Sequence, residues 1–397
     1  REGHWEVTAS TWVETDKNMP SGESLSRHIL YTKEYMQRVF GLNPDGLEID
    51  FEPDTFGHTP QVPEILINSG VKYYYQCRGH LGDQILYRWR GPSGAEVIAY
   101  CEPFWYNADV DDRIAEHTFE LEKRTGGKTL MKVYGVGNHG GGPTRRDVEL
   151  LLEMDAWPIY PAFEFGTLRD YFHSVLPRRE SFPLKQGELN FLCDGCYTTQ
   201  TRIKAGNRKS EAMLMETEWL AAYSSLLTGG DYPTQAFSEA WTKTLFNQFH
   251  DILPGSGVTE TREYASALYQ EVFASARAKA KIAARRIMDR IDTRSMPAIS
   301  DVQKGTGTPD SSLNVLSGKP GHADEQQNNL LLQGSRAEGG GAGSGSIGRG
   351  AGLVRVFHLF NPSAQTRTEV TEITVWDYEG DKTRLIAMAV DGTPLPT

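Results

Sequence analysis

The chain has 397 residues, against a modal domain length of roughly 100–150, so two or three domains are expected. Hydrophobic residues make up 39% and aromatics 10%, enough for packed cores and too much for a wholly disordered chain. With 41 basic and 52 acidic residues the formal charge is −11, which argues against the basic footprint of a nucleic-acid binder and suits an enzyme acting on a neutral substrate.

In chain order, Glu6-Val7-Thr8-Ala9 reads as a strand and Ser24 to Phe40 as a helix, with Leu25, Ile29, Tyr35, Met36 and Phe40 near helical spacing. Ile98–Cys101 and Leu130–Val136 read as further strands, the second running into a glycine cluster. A helix over Arg145–Glu153 follows Pro143-Thr144, a capping sequence. Strands alternating with helices over residues 1–180 predict an α/β fold, a mostly parallel sheet with helices outside it.

Residues 181–294 turn almost purely helical. Glu211–Leu227, Phe237–Phe249 and Tyr264–Ile291 carry apolar stripes that predict an antiparallel three-helix bundle, with Met215, Trp219, Tyr223 and Leu226 among the packing residues. Residues 295–352 are rich in Gly, Ser, Asn and Gln. Between Gly339 and Gly352 eight of fourteen residues are glycine, a composition that predicts a flexible linker. From 353 to 397 the alternating Val370, Ile373, Val375 and Trp376 read as the beginning of a β-rich domain. No run of about 18 apolar residues occurs, so no membrane span is expected.

The four cysteines are too few for a disulfide scaffold at this length. Cys193 and Cys196 form a single CxxC without a second pair or flanking histidines. Zinc-ribbon and thioredoxin readings are therefore weak, and reduced, buried thiols are expected.

Five segments carry candidate chemistry. Asp50-Phe51-Glu52-Pro53-Asp54-Thr55-Phe56-Gly57-His58 contains a sharp turn that presents Asp54 either at the end of a strand, where sites of barrel-like folds gather, or as the cap of a helix starting near Pro60. In Phe246–Ser256, His250 and Asp251 close an aromatic-rich helix; His250 reads equally as a helix C-terminal cation and as a metal ligand. Gly135–Thr144 lacks the Lys-Ser/Thr of a phosphate loop, so its glycines point to close backbone approach to a substrate, with Asn138 and His139 inside the loop. Gly187–Gln200, containing Asp194 and Tyr197, and Trp12–Leu25 are polar, aromatic and turn-forming, as carbohydrate sites commonly are.

In this order the segments resemble glycoside hydrolase family 38, the retaining α-mannosidases, in its bacterial form. The likeness runs from Glu6 to about Ile291 and weakly through Phe357–Trp376. It rests on the Trp-Val-Glu-x-Asp-x-Asn-x-Pro-Ser-Gly-Glu-Ser opening, the Asp-x-Phe-Gly-His element, the Gly-Gly-Gly-Pro-Thr loop, the Gly-Cys-Tyr-Thr-Thr-Gln segment and the His-Asp-x-x-x-Gly element. The resemblance implies a (β/α) barrel-like catalytic domain, a helical middle domain and the start of a β-sandwich. It implies hydrolysis of terminal α-mannosidic linkages with retention, with an α-mannoside or mannosyl oligosaccharide as substrate.

Residue by residue, the resemblance makes Asp54 the nucleophile and a ligand of one divalent metal, usually zinc, and makes His250 another ligand. Asp251, Arg78, Trp105, Tyr106, Asn138 and Tyr197 fall at substrate-binding positions. A retaining glycosidase also needs an acid/base, about 5–5.5 Å from the nucleophile in the usual carboxylate pair. Many relatives carry an acidic residue in the glycine-rich loop, where this sequence reads Asn138-His139, so His139 and Asp194 are the candidates; Asp194 reads equally as a turn former.

The family's remaining metal ligands form a His-x-Asp expected upstream of Arg1, since His4 is followed two positions later by Glu6. Residues 1–397 are thus read as lacking the first strand and part of the C-terminal β region, with half a metal site and no activity by themselves. Of the alternatives, a non-catalytic carbohydrate-binding relative is opposed by the retained Asp54 and His250. A different metal hydrolase on a similar barrel is opposed by the lack of a dense histidine cluster. Free cysteines suggest the cytoplasm, no nucleic-acid or membrane partner is expected, and a homo-oligomer fits the resemblance.

Overall fold

A computed structural model describes residues 5–292 except 9, 80–83, 138–140, 190 and 191, and beyond them 357–361, 363–368, 370, 371, 373, 383, 385–389, 391 and 393–396. Helix α1 (Gly22–Phe40) begins where the Ser21 hydroxyl accepts the Ser24 N–H and ends at Gly41, whose φ of 65° is left-handed. Leu25, His28, Ile29 and Thr32 form its buried face. Strand β1 (Ile49–Glu52), helix α2 (Val62–Asn68), strands β2 (Tyr73–Gln76), β3 (Leu86–Arg90) and β4 (Glu96–Cys101), helices α3 (Ile114–Thr125), α4 (Arg145–Asp155) and α5 (Leu168–Val175), and strand β5 (Leu184–Gln186) follow. The expected cap of α4 is a full capping box between Thr144 and Asp147.

The sheet runs β1-β2-β4-β3-β5. Strands β1, β2 and β4 are mutually parallel, β3 is antiparallel to β4, and β5 is parallel to β3. Alternation along the strands sorts the core into two faces. Tyr73, Tyr75, Ile98 and Tyr100 join Phe172 and Val175 of α5, while Tyr74, Trp89, Val97 and Ala99 join Ile29 of α1 and Leu66 of α2. Glu52, Gln76 and Cys101 pair in one row across the parallel strands. The segments leaving β1, β2 and β4 therefore emerge at one level of one sheet edge.

The sheet is thus mixed and, among the described residues, open rather than closed into a barrel. Of the expected strands, Ile98–Cys101 lies within β4. The described residues of Glu6–Ala9 are not in a strand, and Leu130–Val136 is irregular apart from a bridge between Ala108 and Tyr134. Leu130, Met131 and Val133 still pack on the sheet core, so the apolar run marks burial without strand pairing. Gly135 and Gly137, at φ 128° and 78°, turn the chain out of extended geometry.

Three helices follow: α6 (Thr201–Thr228), α7 (Thr234–Phe246) and α8 (Thr259–Met288). The chain divides into two compact units, residues 1–211 with 239–272 and residues 212–238 with 273–397. In the first unit α6 and α8 approach closely at Gly206, where a Cβ would lie 2.5 Å from the Tyr269 ring. The expected stripe on α6 is overturned. Met215, Trp219, Tyr223 and Leu226 are exposed, while Asn207, Ser210, Glu211, Leu214 and Thr217 are buried. Polar burial on that helix is sustained by hydrogen bonds to Gln248, a constraint that apolar periodicity does not register.

Among the described residues no helix is long and apolar enough to cross a membrane. After α8 the described strands are a two-residue antiparallel pair, Ala387–Met388 with Pro394–Leu395. The expected 295–352 linker and the Val375–Trp376 strand lie outside the described residues. Cys77 and Cys101 are buried as expected. Cys193, by contrast, is exposed and Cys196 half-buried, because both sit on a surface turn rather than a strand.

Candidate active site

The site is assembled on two segments distant in sequence that lie side by side. Residues 14–16 pair with 248–250 through an antiparallel bridge between Thr15 and Phe249. The Asp16 N–H donates to the Gln248 carbonyl at 2.9 Å, and the His250 N–H to the Glu14 carbonyl at 3.1 Å. Gln248 is fully buried. Its side-chain amide faces His28 Nε2 at 3.0 Å, Asn207 Oδ1 at 2.7 Å and Glu211 Oε1 at 3.0 Å, locking the pair onto α1 and α6. Burial and then the Lys17 charge depress the His28 imidazole to about 3, so it is neutral in this network.

Asp54 stands on the turn just beyond β1. It caps no helix, since α2 begins at Val62 without a side-chain cap. Its N–H donates to Glu14 Oε1 at 2.5 Å, as does the Thr55 N–H at 3.1 Å. Its carboxylate receives Arg78 Nη2 on Oδ1 at 2.9 Å and the Tyr106 hydroxyl on Oδ2. Arg78 leaves the end of β2 and lies over the rings of Phe56 and Trp105, at 5.1 and 4.9 Å. Burial, then the Asp54 carboxylate, raise the Tyr106 phenol and keep it a donor.

The His250 ring reaches the same place from the other side. Its Nδ1 is 2.9 Å from the Glu14 carbonyl, which can only accept, so Nδ1 carries a proton and Nε2 is the ring nitrogen left for another partner. The Phe249 and Phe56 rings flank it. Glu14 therefore links the two: its carboxylate holds the Asp54 turn and its carbonyl holds His250. The helix-terminal reading of His250 gives way to this one, since α7 ends at Phe246 and the ring is fixed by the Glu14 carbonyl.

The structure brings together Asp54, Arg78, Trp105, Tyr106 and His250, with the half-exposed Asp251 adjoining; its Oδ1 is 4.0 Å from His250 Nε2. Tyr197 joins through Asp16, donating to its Oδ2 at 2.9 Å, while Asp16 Oδ1 accepts the Asn18 and Met19 N–H groups. Asp194 is exposed at the start of the 3₁₀ turn Asp194–Thr198, and no described hydrogen bond joins it to Asp54. Asn138 and His139 lie outside the described residues. The base of their loop abuts the site, for a Cβ on Gly137 would meet Asn107 Cβ at 2.8 Å and Tyr106 Cε2 at 3.3 Å.

Sequence reasoning assigned no role to Glu14, Asp16 or Gln248, although all three stand inside motifs it singled out. It also passed over Glu102, at the end of β4. The Glu102 carboxyl accepts the Tyr75 hydroxyl at 3.3 Å and the Phe104 N–H at 3.1 Å, supporting the turn on which Trp105 adopts φ 70°. Burial pushes this carboxyl up from 4.5 to about 7. The folded state therefore holds its proton more tightly than the unfolded chain does. Its contribution to stability is complete below about pH 4.5 and is lost as pH rises through about 7. Denaturant titrations across that window are expected to show a falling slope that Glu102→Gln removes; an unchanged slope in the variant would exclude Glu102 as its source.

A divalent cation needs more donors than this cluster supplies. Asp54 and the His250 Nε2 are suitable in kind, and the His250 tautomer is that of a ligand held by a carbonyl behind it. Yet Arg78 and Tyr106 occupy both Asp54 oxygens, and among the described residues no three His, Cys, Asp or Glu side chains converge as a cation site. The described residues do not by themselves fit a complete metal centre.

Comparison with known proteins decides the family. Residues 1–188 match the glycosyl hydrolases family 38 N-terminal domain, and residues 192–287 match the alpha mannosidase middle domain. The chain belongs to glycosyl hydrolase family 38. It is 32% identical to alpha-mannosidase G of Dictyostelium discoideum over 279 residues, 68% of this chain and 25% of that one. It is 31% identical to an alpha-mannosidase of Saccharomyces cerevisiae, covering 65% of this chain and 25% of the relative. An alpha-mannosidase structure from Enterococcus faecalis V583 has the same fold, at TM-score 0.63 and 24% identity over 72% of this chain and 34% of that one. This family 38 chain thus spans about a quarter of the length of the curated relatives it matches.

Proposed function

We propose that this chain supplies the nucleophile and much of the sugar-binding surface of an enzyme that hydrolyses terminal α-mannosidic linkages with retention of configuration. The observation that carries the reading is the Asp54 carboxylate, fixed by Arg78 and Tyr106 at the edge where three parallel strands end, with His250 beside it. Two donors on two oxygens set the carboxylate plane, so an oxygen can meet an anomeric carbon without first reorganising. Attack would form a mannosyl ester on Asp54 and expel the aglycone, and water would then displace Asp54 from the face that the aglycone had left. Trp105 and Phe56 offer apolar surface to the pyranose, and Tyr197 and Asp251 offer polar contacts.

The leaving oxygen needs a proton donor, and His139 and Asp194 are the proposed candidates. Anomeric proton signals recorded during hydrolysis of an aryl α-mannoside by the full-length protein test the pathway. Retention predicts that α-mannose appears before mutarotation; initial β-mannose would replace the ester mechanism with direct attack by water.

The family resemblance adds one divalent metal, zinc, with Asp54 and His250 among its ligands. Such an ion would bind sugar hydroxyls and act as a Lewis acid. Dialysis of the full-length protein against a strong chelator is expected to remove one metal per chain and abolish hydrolysis, with recovery on adding zinc. Elemental analysis showing no bound metal in the active protein would exclude this part of the reading.

A further inference from the structure

The CxxC segment is not used by the mechanism above, yet it adjoins the site. Cys193 is exposed with φ 58°, and Cys196 is half-buried on the same turn. The Cys196 N–H donates to the Cys193 carbonyl at 3.0 Å, closing a four-residue turn. Such turns hold their end Cα atoms within about 7 Å, and disulfides span Cα separations of about 4.4–6.8 Å. Cys193 stands just before the 3₁₀ turn in left-handed backbone geometry, and Cys196 lies within it.

The next residue is Tyr197, whose hydroxyl donates to Asp16 at 2.9 Å. The end of the turn meets the His250 loop, where Thr199 Oγ1 donates to the Pro254 carbonyl at 3.4 Å, and Lys204 Nζ of α6 donates to the same carbonyl at 2.8 Å. A change in the turn therefore reaches both halves of the site.

We propose that Cys193 and Cys196 form a reversible disulfide by exchange with a small disulfide oxidant such as oxidised glutathione, and that the bridge loosens the Tyr197–Asp16 hydrogen bond. The exposed Cys193 thiolate attacks one sulfur of the oxidant, forming a mixed disulfide and releasing one glutathione thiolate. The Cys196 thiolate then attacks the Cys193 sulfur, closing the bridge and releasing the second. Two electrons pass from the cysteine pair to the oxidant, and the two thiol protons pass through solvent to the released glutathione.

The order of attack follows from the surroundings. Burial, then the Asp16 carboxylate and the Cys193 sulfur, push the Cys196 thiol up to about 11, which suits it to the second, intramolecular step. Cys77 and Cys101 are buried, with thiols raised by that burial, to about 12 for Cys101, and stay out of the exchange. Bridge formation is read on thiols and amides, independently of mannoside turnover.

The test treats the full-length protein with oxidised glutathione, alkylates it, and maps the peptide containing residues 193–196 by mass spectrometry. The expected peptide has lost two hydrogens and resists alkylation; dithiothreitol restores two alkylated sites. Cys196→Ser is expected to stop at a single glutathione adduct on Cys193. In the bridged protein the Asn18 and Met19 amides, which Asp16 holds, are expected to exchange hydrogen several-fold faster. Two thiols that remain freely alkylatable after oxidation, or a wild-type protein that stops at a lasting glutathione adduct, would overturn the bridge. Unchanged exchange at Asn18 and Met19 in the bridged protein would overturn its link to the site.

Discussion

Replacing Asp54 with Asn in the full-length protein is expected to lower turnover of an aryl α-mannoside by on the order of 10⁴-fold or more, as removal of a covalent nucleophile does elsewhere. The amide is nearly isosteric and keeps an oxygen for Arg78 or Tyr106, so the turn beyond β1 should keep its shape. Arg78 loses its counter-ion but is about a quarter exposed, with a side-chain accessibility of 26%, and solvent will screen most of that change. The fold should therefore survive while the chemistry fails.

A second variant separates a nucleophile from a residue that merely shapes the site. Asp54→Ala leaves space where the carboxylate stood, and azide ion can enter it. If Asp54 attacks the anomeric carbon, azide should restore turnover from the same face and yield a β-mannosyl azide from an α-mannoside. A folded Asp54→Ala protein that azide cannot rescue, or an Asp54→Asn protein with near-normal activity, would remove Asp54 from the bond-making role.

The sequence made the site more legible than the fold, for a physical reason. Asp54 and His250 were visible because each stands in a short motif with a turn former beside it, and turns are specified locally by Pro53, Gly57, Pro254 and Gly255. α4 is legible through its cap at Thr144 and α1 through the helical spacing of Leu25, Ile29 and Phe40, again a matter of neighbours in sequence.

What escaped was whatever depended on distant partners. Glu14 acts through its backbone carbonyl and one carboxylate oxygen, and neither use leaves a periodic trace. On α6 the hydrophobic pattern pointed outward, because Asn207 and Glu211 meet Gln248 across the interior and apolar spacing records no such pairing. Leu130–Val136 had the composition of a strand but packs its side chains without a neighbouring ladder. Local chemistry survives translation into sequence, whereas the buried polar contacts that connect segments require coordinates.

The largest stability effect should come from one such buried contact. Lys17 Nζ lies 2.8 Å from Asp50 Oδ2 and 2.9 Å from Glu52 Oε1, with all three side chains almost fully buried. Burial opposes the ammonium charge, but the two carboxylates outweigh it and raise the Lys17 pKa above its ordinary value. Ser10 donates to Asp50 at 2.6 Å, and Thr11 and Thr55 donate to Glu52 at 3.1 and 2.6 Å, so the acids have hydrogen bonds but no second described cation in contact. Lys17→Met would leave both carboxyls without their cation, and removing one member of a buried ion group typically destabilises by about 3–5 kcal/mol. Urea denaturation should show that loss as a lower midpoint at unchanged slope. Replacing the acids as well, with Asp50→Asn and Glu52→Gln, should recover much of it, because the penalty lies in the stranded carboxyls rather than in the lost attraction. The cluster joins β1 to the strand-like segment beginning at Glu14, so the same variant should also loosen the turn that holds Asp54. Lys17→Met with wild-type stability would mean that the cluster does not anchor the site.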